Sequence, residues 1–478
     1  MTKPSRLGVA CLVVLGSGCA SIPSDWGQSN VNSMVVERRA DIDFSSTDAL
    51  ESLLSEPIDS EQAVRIALFN NPDIKAIYAR LGHGAAAVYR ASRISNPVIS
   101  FAALDPANVS GVTRLSYGLI GSFTELITLP QRKNLAAAEF AALKAEVGAE
   151  ILTLAADVEQ AFYQYQTAEQ VKKLRKLTAS AAAVSAQLAE QFFNAGNISP
   201  RQLAQAKSGA SQAKLLALSS EADAFGARQS LADLLGLSVA DDWSVSGRLS
   251  LPGSIDGKVG ELLQYANANR LDFEAAKQRA QVIAERKKFV AWSRWVGAVN
   301  IGVDKERESD GEKLFGPQLE IEIPIFNQNL DGVIEADAEM HTAAATLRKL
   351  AISIDNEVRL ADMAVTNARY RIDEIRDVLI PTRVAATRQA QLEQNFMLIG
   401  AFELIQSKQL EYDSYEAYIN AIGDYWLARV QLTRAVGNSL PGAAESGRSY
   451  LDVQKLMAPK QSNRMHQHSH QSGHGESK

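Results

Sequence analysis

The sequence predicts a mainly α-helical protein with a small β part, built around two very long rods. The first rod covers Gln131 to Phe193, a stretch with no proline and one glycine, Gly148. It is rich in Ala, Leu, Glu, Gln and Lys, the residues that lose least on entering a helix. Its apolar positions Leu143, Val147, Ile151, Leu154, Val158, Phe162 and Tyr165 step by 4, 4, 3, 4, 4 and 3. That eleven-residue repeat lies close to the natural helical period, so the rod should run nearly straight. Roughly 63 residues at helical rise span about 95 Å, more than a compact domain needs. A second rod runs from near Asn327 to near Asn395, with Leu347, Leu350, Ile354, Val358, Ala361 and Val365 as its stripe. A strand-like patch precedes each rod and a shorter helix of about ten turns follows it. The chain therefore reads as a tandem duplication with a period of about 200 residues.

Composition narrows the classes of function. The 478 residues exceed one ordinary domain, and 46% hydrophobic content with 7% aromatics suits a folded protein. A net charge of −6 leaves no basic surface for nucleic acid. Of the two cysteines, Cys11 falls inside a signal-like segment and only Cys19 would remain, which excludes a disulfide framework. There is no HExxH, no G-x-S-x-G and no phosphate-cradling glycine loop, so no enzyme chemistry is expected.

The N-terminus carries the most specific local signal. Lys3 and Arg6 precede a short apolar run, Leu7 to Leu15, too brief to span a bilayer. Ser17-Gly18-Cys19-Ala20 then resembles the lipobox of bacterial lipoproteins, although Gly16 stands where Leu is usual. This expectation makes residues 1–18 a signal peptide and Cys19 an acylated first residue, anchored by its lipid. The alternative is an ordinary secretory signal cleaved nearby.

Residues 19–60, with Pro23 and Pro57, read as an extended arm. A helix is expected from Ser60, a candidate N-cap beside Asp59, to about Arg93. A β patch follows. Ile99, Phe101 and Ala103 alternate with Val98, Ser100 and Ala102; Leu115, Tyr117, Leu119, Gly121 and Phe123 alternate with Arg114, Ser116, Gly118, Ile120 and Ser122. After the first rod come a turn at 195–200 and a helix to about Leu235, completing a first unit at 61–236. Residues 237–260, rich in Ser, Gly and Asp, form a linker with room for a short strand. The second unit, 261–439, starts at Glu261. Its Asn269-Arg270-Leu271-Asp272-Phe273 echoes Asn70-Asn71-Pro72-Asp73-Ile74, and its β patch sets Val299, Ile301, Val303, Leu319, Ile321 and Ile323 against Asn300, Asp304, Gln318, Glu320 and Glu322. The polar stretch 440–478 is expected to be disordered.

Strands apolar on one face and polar on the other suit a half-buried sheet or a barrel wall between lipid and water. About 9 to 11 residues are enough to cross an outer membrane in a tilted strand. Four strands cannot close a water-filled barrel, but three chains would supply twelve, and the open edges argue for an obligate oligomer.

The ordered set of motifs resembles the TolC-type outer-membrane factor family over nearly the whole mature chain. The motifs are the twice-occurring pattern of helix, β-hairpin, long helix, tip and return helix, with Phe193-x-x-Gly196-x-Ile198-Ser199, Leu203 and Ala206 at the first tip. Asn395-Phe396-Met397-Leu398-Ile399-Gly400-Ala401-Phe402-Glu403-Leu404 and Ile323-Pro324-Ile325-Phe326-Asn327-Gln328-Asn329 are similar to the family's heavy-metal branch, the cobalt-zinc-cadmium and copper-silver efflux proteins. The resemblance implies a homotrimer with a twelve-stranded barrel in the outer membrane and a helical tunnel through the periplasm. It also implies two partners, a periplasmic adaptor and a proton-driven inner-membrane RND-type pump.

Site expectations follow from it. Gly196, Ile198, Ser199, Leu398 and Ile399 would form the adaptor-docking tips, or Gly196 would merely end a helix. The tunnel entrance constriction falls on Glu403, Gln406, Gln202 and Gln205. Of these only Glu403 is acidic, and three copies would make a carboxylate ring that favours cations. Asp304, Glu320 and Glu322 would line the barrel lumen. His466, His468, His470 and His474, beside Met465, could bind copper, zinc, nickel or cobalt transiently; the alternative is a tail with incidental histidines. No resident cofactor is expected apart from the lipid on Cys19. The expectation is export of heavy-metal cations, with export of drugs or organic solutes and a non-conducting structural lipoprotein as alternatives.

Overall fold

The computed structural model describes residues 24–44, 50–105, 112–238, 241–246, 249–253, 257–295, 297–440, 450–451, 453 and 456. Cys19 and the four tail histidines lie outside the described residues.

The segment expected as an extended arm is helical in part. Helix α1 (Gln28–Arg38) buries Val31 and Val35, whose four-residue spacing puts both on one face. A short α2 (Leu50–Leu54) follows. The helix expected from Ser60 to Arg93 is two helices, α3 (Ser60–Asn70) and α4 (Pro72–Ala91). Asp59, not Ser60, caps α3 in a reciprocal box with Gln62. The break falls at Asn71 because a residue before proline is pushed out of helical geometry; Asn71 is extended, and its side chain accepts from the Asp73 N–H at 2.7 Å.

Strands β1 (Val98–Leu104) and β2 (Arg114–Ser122) lead directly into α5 (Phe123–Asn194), a single helix of 72 residues. The rod starts eight residues before the expected Gln131, and Phe123 opens the helix instead of closing the strand. Pro130 lies inside the helix, where it removes one backbone hydrogen bond and its ring crowds the carbonyl four residues back. Val147, Ile151, Val158, Phe162 and Tyr165 of the expected stripe are buried, and Leu143 and Leu154 pack against the same core. Gly148 is required by a close approach: a Cβ there would stand 2.8 Å from Leu271 Cδ1. The return helix α6 (Pro200–Leu235) has 36 residues.

The linker contains β3 (Leu249–Ser250), and α7 (Val259–Asn269) and α8 (Leu271–Ser293) open the second half. Strands β4 (Val299–Arg307) and β5 (Lys313–Ile321) form its hairpin. The second rod is interrupted. It comprises α9 (Leu330–Glu374), a π turn at Ile375–Leu379 and α10 (Ile380–Asn395). Pro381 cannot donate to the carbonyl four residues back, and Ile380 N–H bonds to Ile375 O, five residues back. The return helix α11 (Ala401–Val436) also has 36 residues. Tyr450–Leu451, inside the tail expected to be disordered, forms β6 and pairs with β3.

Each half has its own apolar core at mid-height. One gathers α1, α3, α5 and the end of α6; the other gathers α7, α9 and α11. Tyr163 stacked on Trp426 at 4.9 Å joins them, as does Arg434 paired with Asp157 at 3.1 Å. Both helix junctions tie down a return helix. Asn70 and Asn71 donate to carbonyls of 234–236, and Arg270 donates to Ala435 O at 3.2 Å.

Candidate functional site

At one end of the rods the four strands make one antiparallel sheet in the order β1-β2-β4-β5. Because paired residues share a face, the register sorts the side chains. One face collects Ile99, Phe101, Tyr117, Leu119, Ile301, Val303, Phe315, Leu319 and Ile321; the other collects Ser100, Ser116, Gly118, Asn300, Asp304, Gln318 and Glu320, with Val98, Leu104, Ile120 and Leu314 among them. The apolar face is uncovered. Ile99 is 78% exposed and Phe315 75%, the reverse of what water-facing sheet would show. Strands of nine residues are about 30 Å long. Both outer strands, β1 and β5, have a free edge within the chain. Among the described residues no helix is long and apolar enough to cross a membrane.

The expected lumenal acids fall on the polar face. Asp304 stands opposite Gly118 and Gly316. Glu320 accepts from Asn300 Nδ2 at 3.1 Å. Glu322 lies just past β5, where its main chain extends the ladder by an N–H bond to Ala298 O at 2.8 Å. Among the described residues no three His, Cys, Asp or Glu are grouped to hold a metal ion.

At the opposite end, two tight turns reverse the chain. In the first, Gly196 has φ 75°, Asn197 N–H bonds to Phe192 O at 2.8 Å and Gly196 N–H to Phe193 O at 2.9 Å, which satisfies the last carbonyls of α5. Ser199 then caps α6, with Gln202 returning its side chain to the Ser199 N–H at 2.9 Å. The second turn repeats the bonds with a different residue at the left-handed position. Met397 adopts φ 58°, a conformation that costs a side-chain-bearing residue about 1–2 kcal/mol. It is 93% exposed, with Phe396 and Leu398 uncovered beside it. Sequence reasoning singled out Leu398 and Ile399 but not this strained methionine, although its alignment with Gly196 in the two tips was the available signal.

The four expected constriction residues divide. Gln202 is committed to the α6 cap. Glu403 stands in the first turn of α11, with Oε2 folded back over Gly400, where the helix dipole favours an acid. Gln205 and Gln406 come together on a cleft of about 530 Å³ between the α5/α6 and α10/α11 hairpins, with Thr387, Phe402 and Tyr412 also lining it. On the same cleft, Arg175 of α5 grips Glu416 of α11 and lies 3.5 Å from Asp413. Nearby, Glu411 is buried and accepts from Lys408 Nζ at 2.6 Å and Tyr415 Oη at 2.8 Å. Burial, with Glu411 alongside, pushes the Tyr415 phenol well above its usual range. The Arg175 tether was not visible in the sequence, because its charges look like ordinary solvated helix faces.

No family model matches the chain, and no curated protein matches it. Solved structures do. The chain superimposes on the outer-membrane channel OprN with a TM-score of 0.68 at 18% identity, covering 83% of this chain and 94% of that one. The fold is that of outer-membrane channels. CusC, whose structures describe transmembrane channel formation, matches with a TM-score of 0.66 at 14% identity, over 83% of this chain and 96% of its own. The outer membrane protein VceC of Vibrio cholerae matches with a TM-score of 0.65 at 15% identity, over 79% and 96%. The mainly helical, TolC-like fold expected from the sequence is the fold found.

Proposed function

We propose that the protein is the outer-membrane channel of a tripartite efflux system, a conduit that changes nothing chemically. The observation that carries this reading is the uncovered apolar face of the sheet, backed by a polar face with Asp304 and Glu320 and set on two long rods. Three chains would bring twelve strands together, cover the free edges of β1 and β5 and enclose the polar face as a lumen. The twice-occurring element order supports an internal duplication. Trp292, Trp295 and the fully exposed Phe326 sit at the rod end of the sheet, where amphipathic rings suit a membrane–water interface. The tip turns, with Gly196, Ile198, Ser199, Leu398 and Ile399, would dock a periplasmic adaptor linked to a proton-driven RND-type pump. Heavy-metal cations are the proposed cargo, supported by the acids of the polar face and, if Glu403 faces the axis, by a three-fold carboxylate ring at the entrance. Purified protein in mild detergent should be a trimer and, reconstituted in planar bilayers, should conduct with cation preference. A folded monomer at every concentration, or a silent bilayer, would sink the channel.

Acylation at Cys19 is part of the proposal and is compatible with the geometry. Trp26 packs on Gly82 of α4, its ring carbon 3.1 Å from where a Cβ would be. Gly82 lies nine residues, about 14 Å, below the end of α4. The seven residues separating Cys19 from Trp26 can reach at most about 25 Å, enough to return to the membrane plane. Mass spectrometry of the mature N-terminus should find the acyl mass on Cys19 and lose it in Cys19→Ser; an unmodified N-terminus at another residue would refute the anchor.

A further inference from the structure

The hairpin end of the sheet carries three cations on its apolar face. Arg307 and Lys313 are direct cross-strand partners, and Lys305 stands two residues along, opposite Phe315 and Tyr117. Directly opposed side chains have Cβ atoms about 5 Å apart, and like charges in such a pair destabilise the sheet. All three residues are exposed. None has an ion-pair partner among the described residues, although Glu306, Glu308, Asp310 and Glu312 share the hairpin; Glu308 and Glu312 alternate in sequence with Arg307 and Lys313, which directs them away from the cation face. Glu306 points to the other face and pairs with Arg114, and Asp310 accepts from the Glu312 N–H at 2.9 Å.

Position adds the second half of the argument. Along β5 the face reads Ile321, Leu319, Pro317, Phe315 and then Lys313, so the cations begin where the apolar band stops. From Ile321 to Lys313 is about 27 Å along the strand, comparable to the apolar band of an outer-membrane barrel. A repulsive pair placed there is relieved by an anion lying between the two charges. Three cations exceed the single charge of a phosphodiester. A phosphomonoester carries about −1.5 to −2 at neutral pH and offers three acceptor oxygens.

We propose that Lys305, Arg307 and Lys313 form a binding site for the phosphomonoester headgroup of a membrane lipid in the leaflet at the hairpin end. The proposal rests on the membrane-spanning reading of the sheet. Arg307 supplies a planar fork for two phosphate oxygens, and the two lysines add point charges on either side. The lipid's acyl chains would lie along Phe315, Leu319 and Ile321 below.

The test titrates bisphosphorylated lipid A, carrying a fluorescent label, into the detergent-solubilised protein. Wild type should bind it, more tightly than phosphatidylglycerol, and millimolar inorganic phosphate should not displace it. The triple variant Lys305→Gln/Arg307→Gln/Lys313→Gln should bind roughly a hundredfold more weakly, at about a fivefold loss per charge. Equal binding by the variant overturns the site; complete displacement by phosphate makes it a general anion site and overturns the lipid assignment. Should the triple variant fail to assemble, Lys313→Gln alone removes the like-charge pair, should fold at least as well, and should still lose several-fold in affinity. Bilayer conductance separates the two readings. A silent wild type fails the channel, whereas a conducting wild type whose lipid A binding ignores the triad fails this proposal alone.

Discussion

Replacing Arg39 by Met should destabilise the middle of the molecule by about 3–5 kcal/mol, the cost of stranding a buried charge. Arg39 follows α1, its side chain is only 7% exposed, and it donates to Asp41 at 2.5 Å and to Glu159 of α5 at 2.6 Å. The same segment is tied to the second half: Arg38 Nε donates to Asn269 O at 2.6 Å, and Ser439 N–H donates to Arg38 O at 3.1 Å. Losing Arg39 therefore loosens a strap that touches α5, the α7–α8 junction and the end of α11. Arg39→Met combined with Glu159→Gln should recover part of the loss, because the more deeply buried of the two carboxylates left by Arg39 is then neutral and only the more exposed Asp41 remains charged.

The deficit should depend on pH in a defined direction. Burial holds the Glu159 carboxyl above the usual carboxylate range even against the pull of Arg39. An acid whose folded pKa is raised loses stability as pH climbs above its unfolded value, since the folded state binds the proton more tightly. Without Arg39 that rise is larger. Asp41 runs the other way: burial opposes ionisation most strongly, but the Arg39 hydrogen bond and charge, with smaller help from a backbone hydrogen bond and Ser439, together outweigh it and hold the carboxyl low. Asp41 therefore contributes stability above its unfolded pKa that disappears as pH falls, and the variant lacks that contribution too. Both effects make the gap between variant and wild type widest near neutrality and narrower toward about pH 4 to 5. Thermal unfolding of the solubilised protein at several pH values measures it, and a gap that widens on acidification would refute the assignment.

The rods were legible because a helix repeats its chemistry every few residues, and Val147, Ile151, Val158 and Phe162 step accordingly. The strand faces were legible for the same reason at a period of two. What periodicity cannot give is where a regular element starts or is interrupted. Phe123 satisfies the strand alternation and the helix equally, and the structure assigns it to α5 after the cap at Ser122. The π turn at Ile375–Leu379 depends on Pro381, which lies beyond it in sequence. Helix α1 is short and mostly polar; its two valines acquire meaning only against α5.

The candidate site was legible only in part, and for a related reason. Gly196 and Ser199 carry local turn and cap signals that survive without a partner, and both work as such. Gln202, expected at the entrance, carries a cap role as well, accepting from the Ser199 N–H, which its sequence position alone did not single out. The tether from Arg175 to Glu416 joins residues more than two hundred positions apart, and one sequence holds no record of that pairing.

Arg175→Ala should increase single-channel conductance, because it removes an ion-pair link from α5 to α11 at the tip cleft. Arg175 grips Glu416 and sits 3.5 Å from Asp413, with its side chain 19% exposed. Asp413 and Glu416 are three residues apart on one helix face, so without the guanidinium they repel each other by a few tenths of a kcal/mol. The first hairpin is then held to the second, near the tips, chiefly by the loosely filled cleft of about 530 Å³ that Gln205, Phe402 and Gln406 line. The second hairpin keeps its internal tie, Thr387 Oγ1 donating to Ser407 O at 3.2 Å, so it should swing as a unit instead of melting. Exchanging the charges, Arg175→Glu with Glu416→Arg, should bring conductance back toward wild type, which a general loss of packing would not allow. If Arg175→Ala conducts as wild type does, or if the exchange fails to restore it, the tether does not control the entrance and the constriction lies closer to Glu403 at the tip.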